Sequence, residues 1–238
     1  DKDGLPKMDY PEPDKLKKMT MFIFEKLDRM EQYDSLSRKA ARMHRPKKQP
    51  SKSNYFECYR LLRKNGTITD EMVSDEFENA IVAKAVRSAS GIISITTLVA
   101  PIDARGNSFS CEKDCSFCPN ETIANGAKYD IARSYLSNEP AVARGLRVGF
   151  NTVKQVHIRL ERLFKNGHKI DKLEHIVEGG TWSHHTHEHQ INHVRDLYYA
   201  ANTFDEYMEI VDELRSSLRD KLSLEEEIKI NETAKCRN

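Results

Sequence analysis

Three of the five cysteines lie close together, as Cys111, Cys115 and Cys118. Thiolates spaced by three and then two residues suit iron–sulfur chemistry, and three of them leave one iron of a 4Fe-4S cluster without a protein ligand. The amine and carboxylate of S-adenosylmethionine (SAM) can chelate that open iron, and an electron from the reduced cluster can then break the sulfonium bond. The spacing therefore predicts a cluster at these cysteines that produces a radical from SAM.

A structural zinc site is the alternative for the same cysteines. Zinc usually takes four ligands, and here Cys115 and Cys118 form one pair without a second pair of matching spacing. Cys58 or Cys236 could supply a fourth thiolate, although neither has a cysteine beside it. Metal-free thiols are the remaining possibility, whereas the odd number and clustering of the cysteines argue against a disulfide framework.

Two predicted strands are placed to position this chemistry. The cysteines follow a β-branched run from Ile92 to Val99, which suits a strand buried on both faces of a parallel sheet. A second strand is predicted over Leu173–Val177, just before Gly179, Gly180 and Thr181. The carboxyl ends of parallel strands meet at one mouth in barrel folds, and glycine lets a cofactor approach the backbone closely. The sequence thus predicts a cofactor site between the two strand ends.

Apolar residues at three- and four-residue spacing predict helices around these strands. The first ninety or so residues read as helical, and the third of these helices is expected to begin at Thr69 as its N-cap. A helix capped by Asn151 precedes the second strand. A further helix follows that strand, and its inner face is expected to carry Ile191, Val194, Tyr198 and Ala201.

The order of these elements predicts an α/β fold. A helical amino-terminal module is expected over residues 1–90, and strand, helix, strand and helix follow over residues 91–238. Right-handed crossovers would place the two strands in parallel. The chain after Cys111 is too short for a whole barrel, so the second part is expected to be an incomplete one.

Positive charge is concentrated in one segment, although the net charge is only +1. Prolines interrupt this segment, which predicts an exposed linker between two helices. Its cations could neutralise phosphates, and the rings of Tyr55 and Phe56 could stack on bases, which together suit RNA. A solvated linker without a ligand is the alternative. The seven cations are Arg38, Lys39, Arg42, Arg45, Lys47, Lys48 and Lys52.

Histidines recur after the second strand, at His184, His185, His187, His189 and His193. His185 with His189, or His189 with His193, would lie one helical turn apart and could share a metal ion. The favoured interpretation is an exposed helix start capped by Thr186.

Several stretches together resemble the catalytic subunit of the Elongator complex, a family of radical SAM tRNA-modifying acetyltransferases. They follow the order of that family from about residue 52 to the end of the chain. The matching stretches are residues 87–91, 111–120, 133–140, 166–172, 179–182, 195–204 and 222–237.

The resemblance implies a carboxymethyl-type modification of the wobble uridine of tRNA, with SAM as radical source and acetyl-coenzyme A as two-carbon donor. It implies that Cys111, Cys115 and Cys118 hold the cluster in a partial radical SAM (βα)6 barrel. Residues 179–181 would lie against SAM, and Lys172 would contact acetyl-coenzyme A. The helical module with its basic segment would hold tRNA, and other Elongator-type subunits would be partners.

The chain also departs from that family. The later barrel strands and the carboxy-terminal acetyltransferase domain are missing, so the chain is expected to be a fragment or a truncated homologue. Glu178 stands where the family has an apolar residue and is expected to distort the second strand, and residues 122–130 look like an insertion. A non-catalytic RNA-binding remnant therefore stays open as the alternative function.

The composition bears on where in the cell the protein is expected to lie. Of the 238 residues, 38% are hydrophobic and 32% charged, and no apolar run approaches the roughly 20 residues of a membrane span. The amino-terminal residues contain no apolar secretory segment. A cytoplasmic protein without membrane partners is expected.

Overall fold

The structure is a computed structural model that describes residues 10–27, 32–101, 111, 113, 115–204 and 221–236. These residues divide into two compact units. The first contains residues before 90 together with 162–169, and the second contains residues 90–161 and those after 169. No helix in the described ranges is long and apolar enough to cross a membrane.

The first unit consists of helices α1 (Pro13–Lys26), α2 (Tyr33–His44), α3 (Lys52–Lys64) and α4 (Asp75–Ile81). The start of α3 is fixed by a capping box, in which the Ser51 side chain accepts from the amide of the third helical residue and that residue's side chain accepts from the Ser51 amide. The expected helical character of this part of the chain is confirmed at α1 and α3.

Aromatic side chains fill the core of the first unit. The ring of Phe77 meets that of Phe24 edge-on at 4.8 Å between centroids and lies 5.1 Å from that of Tyr59. The Tyr59 hydroxyl donates to Glu78 Oε1 at 2.9 Å, so its polar end is satisfied. Other buried members of this core are Leu16, Met19, Ile23, Leu36, Ala40, Tyr55, Cys58, Leu62, Ile68 and Ile81.

Two sequence predictions for this unit are wrong. The basic segment is not a linker throughout, because α2 covers its first half and buries Leu36 and Ala40. The third helix does not begin at Thr69, which instead precedes a short 3-10 turn. Helix α4 begins after Ser74, whose hydroxyl accepts from the Phe77 amide at 3.2 Å and so provides the stronger cap.

The second unit contains a parallel pair of strands, β1 (Ile93–Leu98) and β2 (Leu173–Glu178). Helices α5 (Pro140–Arg147) and α6 (Thr152–Lys165) lie between them in the chain. The α/β class and the parallel pairing are confirmed. The expected distortion at Glu178 is wrong, because Glu178 pairs with Leu98 in register and its carbonyl accepts from the Val99 amide at 2.8 Å.

After β2 come α7 (His187–Asn202) and α8 (Leu224–Thr233). The Arg195 guanidinium joins them by donating to both oxygens of Glu227, at 2.9 and 2.6 Å. The predicted inner face of α7 is wrong apart from Ala201. Residues at positions 193, 197, 200 and 201 form the buried stripe, so Ile191, Val194 and Tyr198 lie on the other side and are exposed.

The sheet of the second unit is incompletely covered. Ile176 and Val177 of β2 are each 40% exposed, although they point to opposite faces. Parallel sheets normally have both faces buried. Within the described residues, the sheet therefore consists of β1 and β2 and leaves both faces of β2 partly exposed.

Candidate functional site

The cysteine loop follows the carboxyl end of β1, as the sequence predicts. Cys115 is exposed, and Cys111 and Cys118 are half-buried. The Cys118 amide donates to the Cys115 carbonyl at 3.0 Å, so these two residues share one tight turn. Phe117 between them is 87% exposed. The described thiols are therefore displayed at the surface of a loop rather than packed into a core.

The three thiols of this loop suit an iron–sulfur cluster or a zinc ion, since thiolates bind both. Among the described residues, no three His, Cys, Asp or Glu side chains are grouped closely enough to hold a single metal ion. Cys58 is buried in the core of the first unit, and burial raises the pKa of its thiol.

Hydrogen bonds close the base of the loop at residues 122–130, the stretch expected to be an insertion. The Ile131 amide donates to the Glu121 carbonyl at 2.9 Å, and the Ala127 amide donates to the Thr122 carbonyl at 3.0 Å. The Glu121 carboxylate also accepts from the amide and hydroxyl of Ser137, which lowers the pKa of Glu121. Residues 122–130 therefore form a loop with a closed base, and the chain beyond them keeps its direction.

The two strand ends are in contact, as the sequence predicts. Tyr135, which comes after the insertion, accepts a hydrogen bond from the backbone of Gly179. Burial is the main influence on Tyr135 and raises its pKa, while this hydrogen bond opposes the rise. A Cβ at Gly179 would lie 3.1 Å from the Cβ of Val99. The glycine thus allows the end of β2 to approach the end of β1, whether or not a cofactor binds there.

Gln155 supports the end of β1, a role that its position in the sequence does not indicate. Its side chain is 5% exposed and pairs with both backbone groups of Leu98, accepting from the amide at 3.0 Å and donating to the carbonyl at 2.9 Å. It also donates to the Phe150 carbonyl at 3.1 Å. Gln155 therefore completes the edge of β1 just before the cysteine loop. The only signal in the sequence is an amide side chain beside the apolar Val153 and Val156.

The other residues predicted to bind cofactors lie near the same strands. The Lys172 carbonyl accepts from the Ile93 amide at 3.0 Å, so Lys172 starts the pairing of β2 while its side chain is exposed. Gly180 is half-buried and Thr181 is exposed. Lys172 and Thr181 lie at opposite ends of β2, and the structure does not bring them together.

The basic segment has a fixed backbone and exposed charges. Six of its seven cations, all but Lys52, are exposed. A hydrogen bond and an ion pair with Lys15 lower the pKa of Glu12, as does a hydrogen bond from Lys47. Three contacts hold the segment to the start of α1: the Tyr10 hydroxyl donates to the Lys48 carbonyl, the Lys47 amide donates to Glu12 at 2.6 Å, and the Lys15 ammonium donates to the Arg45 carbonyl at 3.2 Å.

Lys52 and the two nearby aromatic rings have structural roles. The Lys52 ammonium donates to the Ala80 carbonyl at 2.7 Å and lies 4.6 Å from the centre of the Tyr33 ring. The prediction that Tyr55 stacks on bases is wrong, because Tyr55 is 1% exposed and belongs to the core. Phe56 is half-buried against that core. The periodicity of α3 turns these side chains inward.

The sequence is similar to curated proteins of two names. It is 33% identical over 154 residues to the tRNA uridine(34) acetyltransferase of Methanocaldococcus infernus, covering 65% of this chain and 24% of the relative. It is 33% identical over 120 residues to Elongator complex protein 3 of Mus musculus, covering 50% and 21%. For the protein of that name from Saccharomyces cerevisiae the identity is 27% over 164 residues, covering 64% and 28%.

A scan of protein-family models finds no match to the chain. The chain spans about a quarter of the length of the curated relatives it matches. Relatives of both names nevertheless match half or more of this chain at about 30% identity. The chain is therefore similar to part of the tRNA uridine(34) acetyltransferases and of Elongator complex protein 3.

Proposed function

We propose that the protein is a radical SAM enzyme that modifies the wobble uridine of tRNA with a two-carbon unit from acetyl-coenzyme A. The observation that carries this proposal is the 33% identity with a tRNA uridine(34) acetyltransferase over 154 residues. The surface-displayed loop with three thiols after β1 supports it. The fold supports it too, because two parallel strands joined through helices are how a (βα)6 barrel would begin.

In this proposal Cys111, Cys115 and Cys118 hold a 4Fe-4S cluster, which when bound supplies the electron that cleaves SAM. The turn between Cys115 and Cys118 orients two of the thiols. Gln155 fixes the strand end from which the loop departs. Residues 179–181 offer backbone amides and carbonyls to SAM at the neighbouring strand end. Lys172 is assigned to acetyl-coenzyme A.

The basic segment is assigned to tRNA. Its exposed cations would neutralise phosphates, and its fixed backbone would reduce the conformational entropy lost on binding. A cytoplasmic location and Elongator-type partner subunits complete the proposal. We define the six exposed cations Arg38, Lys39, Arg42, Arg45, Lys47 and Lys48 as the basic face.

Activity of the full-length protein tests the proposal. Anaerobic incubation with tRNA, SAM, a reductant and acetyl-coenzyme A carrying a radioactive acetyl group is expected to label the wobble uridine. Cys118→Ser is expected to abolish labelling while tRNA binding persists, because the thiol and the basic face lie on separate segments. Binding without any labelling by the unmutated full-length protein would favour the RNA-binding remnant.

Binding to tRNA is tested separately on the basic face. The triple variant Arg42→Ala, Lys47→Ala and Lys48→Ala is expected to bind tRNA more weakly and with a shallower dependence on salt, because fewer counterions are released. A charge-matched triple variant at other exposed lysines should keep the slope. An equal salt dependence of tRNA affinity in the two triple variants would show that the basic face does not bind tRNA. The control positions are Lys84, Lys169 and Lys229.

A further inference from the structure

Three histidines at the start of α7 form a continuous row of rings, which we name the histidine ladder: His185, His189 and His193. The rings of His185 and His189 stack at 4.8 Å between centroids, with 20° between their planes. The ring of His193 lies 6.5 Å from that of His189. Trp182 covers the row, at 6.0 Å from His185 and 5.8 Å from His193.

The ladder is not the exposed helix start that the sequence favours. The cap itself is confirmed, since the Thr186 hydroxyl accepts from the His189 amide at 3.3 Å. His185 and His193, however, are only 5% and 3% exposed. Gln190 holds the turn before the helix in place by donating to the carbonyls of Trp182 and His185, at 2.9 and 3.3 Å. The ladder is therefore a built part of the second unit.

His193 carries a buried nitrogen without a hydrogen bond. Its Nδ1 lies 3.0 Å from the Thr152 hydroxyl, whereas its Nε2 has no hydrogen-bond partner in the described part of the chain. Leaving a buried polar atom unsatisfied is costly, so such an atom calls for an explanation. In the tautomer with Nδ1–H donating to Thr152, the unpartnered Nε2 carries a lone pair. A hydrogen bond to the other ring nitrogen is how proteins orient an imidazole that binds a metal.

We propose that the histidine ladder binds one Zn²⁺-class ion through His189 and His193. Neighbours at four-residue spacing on a helix face the same side, which is the spacing an ion shared by two imidazoles requires. In the described residues no three potential ligands already converge, so the site is a pair and water completes the coordination. His189, which is half-buried, would turn its ring toward Nε2 of His193.

The experiment uses a background in which the loop cannot take zinc, with Cys111→Ser, Cys115→Ser and Cys118→Ser. Trp182 is the chain's only tryptophan and contacts the ladder, so its fluorescence reports binding directly. Titration with Zn²⁺ is expected to change this fluorescence saturably, and equilibrium dialysis should find one bound ion per chain. His189→Gln is expected to remove both signals. The double variant His184→Ala and His187→Ala changes two exposed histidines and should retain them.

A background protein without saturable zinc would overturn the proposal, as would His189→Gln protein that binds zinc like its parent. A second measurement requires no substitution in the ladder, so its result does not depend on whether a ladder variant folds. In the same background, Zn²⁺ should shift the ring-nitrogen resonances of His189 and His193 and leave those of His184 and His187 in place. Shifts confined to His184 or His187 would also contradict the assignment.

Discussion

The first unit closes its core, whereas the second leaves apolar residues exposed along one strand and one helix. Tyr55, Tyr59 and Phe77 of the first unit are at most 2% exposed. In the second unit Ile176 of β2 and Ile191 of α7 are 40% and 45% exposed. The comparison teaches that the helical unit is stabilised mainly by its own packing. The α/β unit instead presents strand ends and loops, the parts of such a fold that carry chemistry.

The largest expected effect comes from comparing two truncations, one in the core of the first unit and one on the exposed strand of the second. Phe77→Ala should cost about 3–5 kcal/mol, because it opens a cavity between two aromatic rings. Ile176→Ala should cost less than about 1 kcal/mol, since its side chain is already partly in water. Urea unfolding followed by far-ultraviolet circular dichroism measures the first, and Trp182 fluorescence measures the second. Similar losses for the two variants would remove the contrast between the units.

The next effect concerns the edge of β1. Gln155→Ala leaves the amide and carbonyl of Leu98 buried without partners and should cost roughly 2–4 kcal/mol. Hydrogen exchange at the Leu98 amide should accelerate with it. Gln190→Ala is the matched control, because Gln190 also donates to backbone carbonyls but is more exposed, and it should cost less than about 1 kcal/mol. An unchanged exchange rate at Leu98 would show that Gln155 does not hold the strand end.

A pH effect of intermediate size is expected from the buried histidines of the second unit. The pKa of His193 falls from its usual 6.5 to about 4 in the folded state, so the unfolded chain binds the proton more tightly. This group leaves stability unaffected above about pH 6.5 and lowers it as pH falls toward 4, by on the order of 3 kcal/mol.

Urea unfolding of metal-free protein, followed through Trp182 at several pH values, measures this dependence. His193→Gln should make it shallower, because the substituted side chain does not titrate, whereas His185 still does. A slope that is the same in both proteins would assign the acid sensitivity to other groups.

The smallest effect compares one local motif in both units. Ser51 and Ser223 each form a capping box, at the starts of α3 and α8. Ser51→Ala should cost about 1 kcal/mol of global stability, because α3 is anchored in the core. Helix α8 buries none of its described residues, so Ser223→Ala should increase only local fraying, seen as faster amide exchange within α8. Equal global losses would mean that α8 is anchored as firmly as α3.

Sequence patterns predicted those elements of the fold that are determined by residues close together in the chain. The β-branched run predicted β1. Helix α2 was missed because its charged residues and the following prolines masked the two apolar positions that α1 covers. The inner face of α7 was misjudged because apolar residues occupy its exposed side. Which side is buried depends on neighbours, and periodicity alone does not identify them.

The candidate site likewise contains features that the sequence predicts and features that depend on the folded neighbours. The spacing of the cysteines and their position after β1 were readable from the sequence. The contribution of Gln155 was not, because a glutamine that pairs with a strand edge looks like a surface residue until the strand is placed. Tyr55 was assigned to RNA from its type and neighbourhood, and its place in the core follows from the phase of α3. The burial of His185 and His193 likewise depends on Trp182 and Thr152, which lie on other segments.

Iron binding by the cysteine loop tests the central claim most directly. After anaerobic reconstitution with iron and sulfide, the protein should bind about four irons per chain and, once reduced, give an electron paramagnetic resonance signal that changes when SAM is added. Cys118→Ser should lose the signal. Uptake of stoichiometric zinc without any reducible iron would contradict the account. A signal that stays the same when SAM is added would contradict it as well.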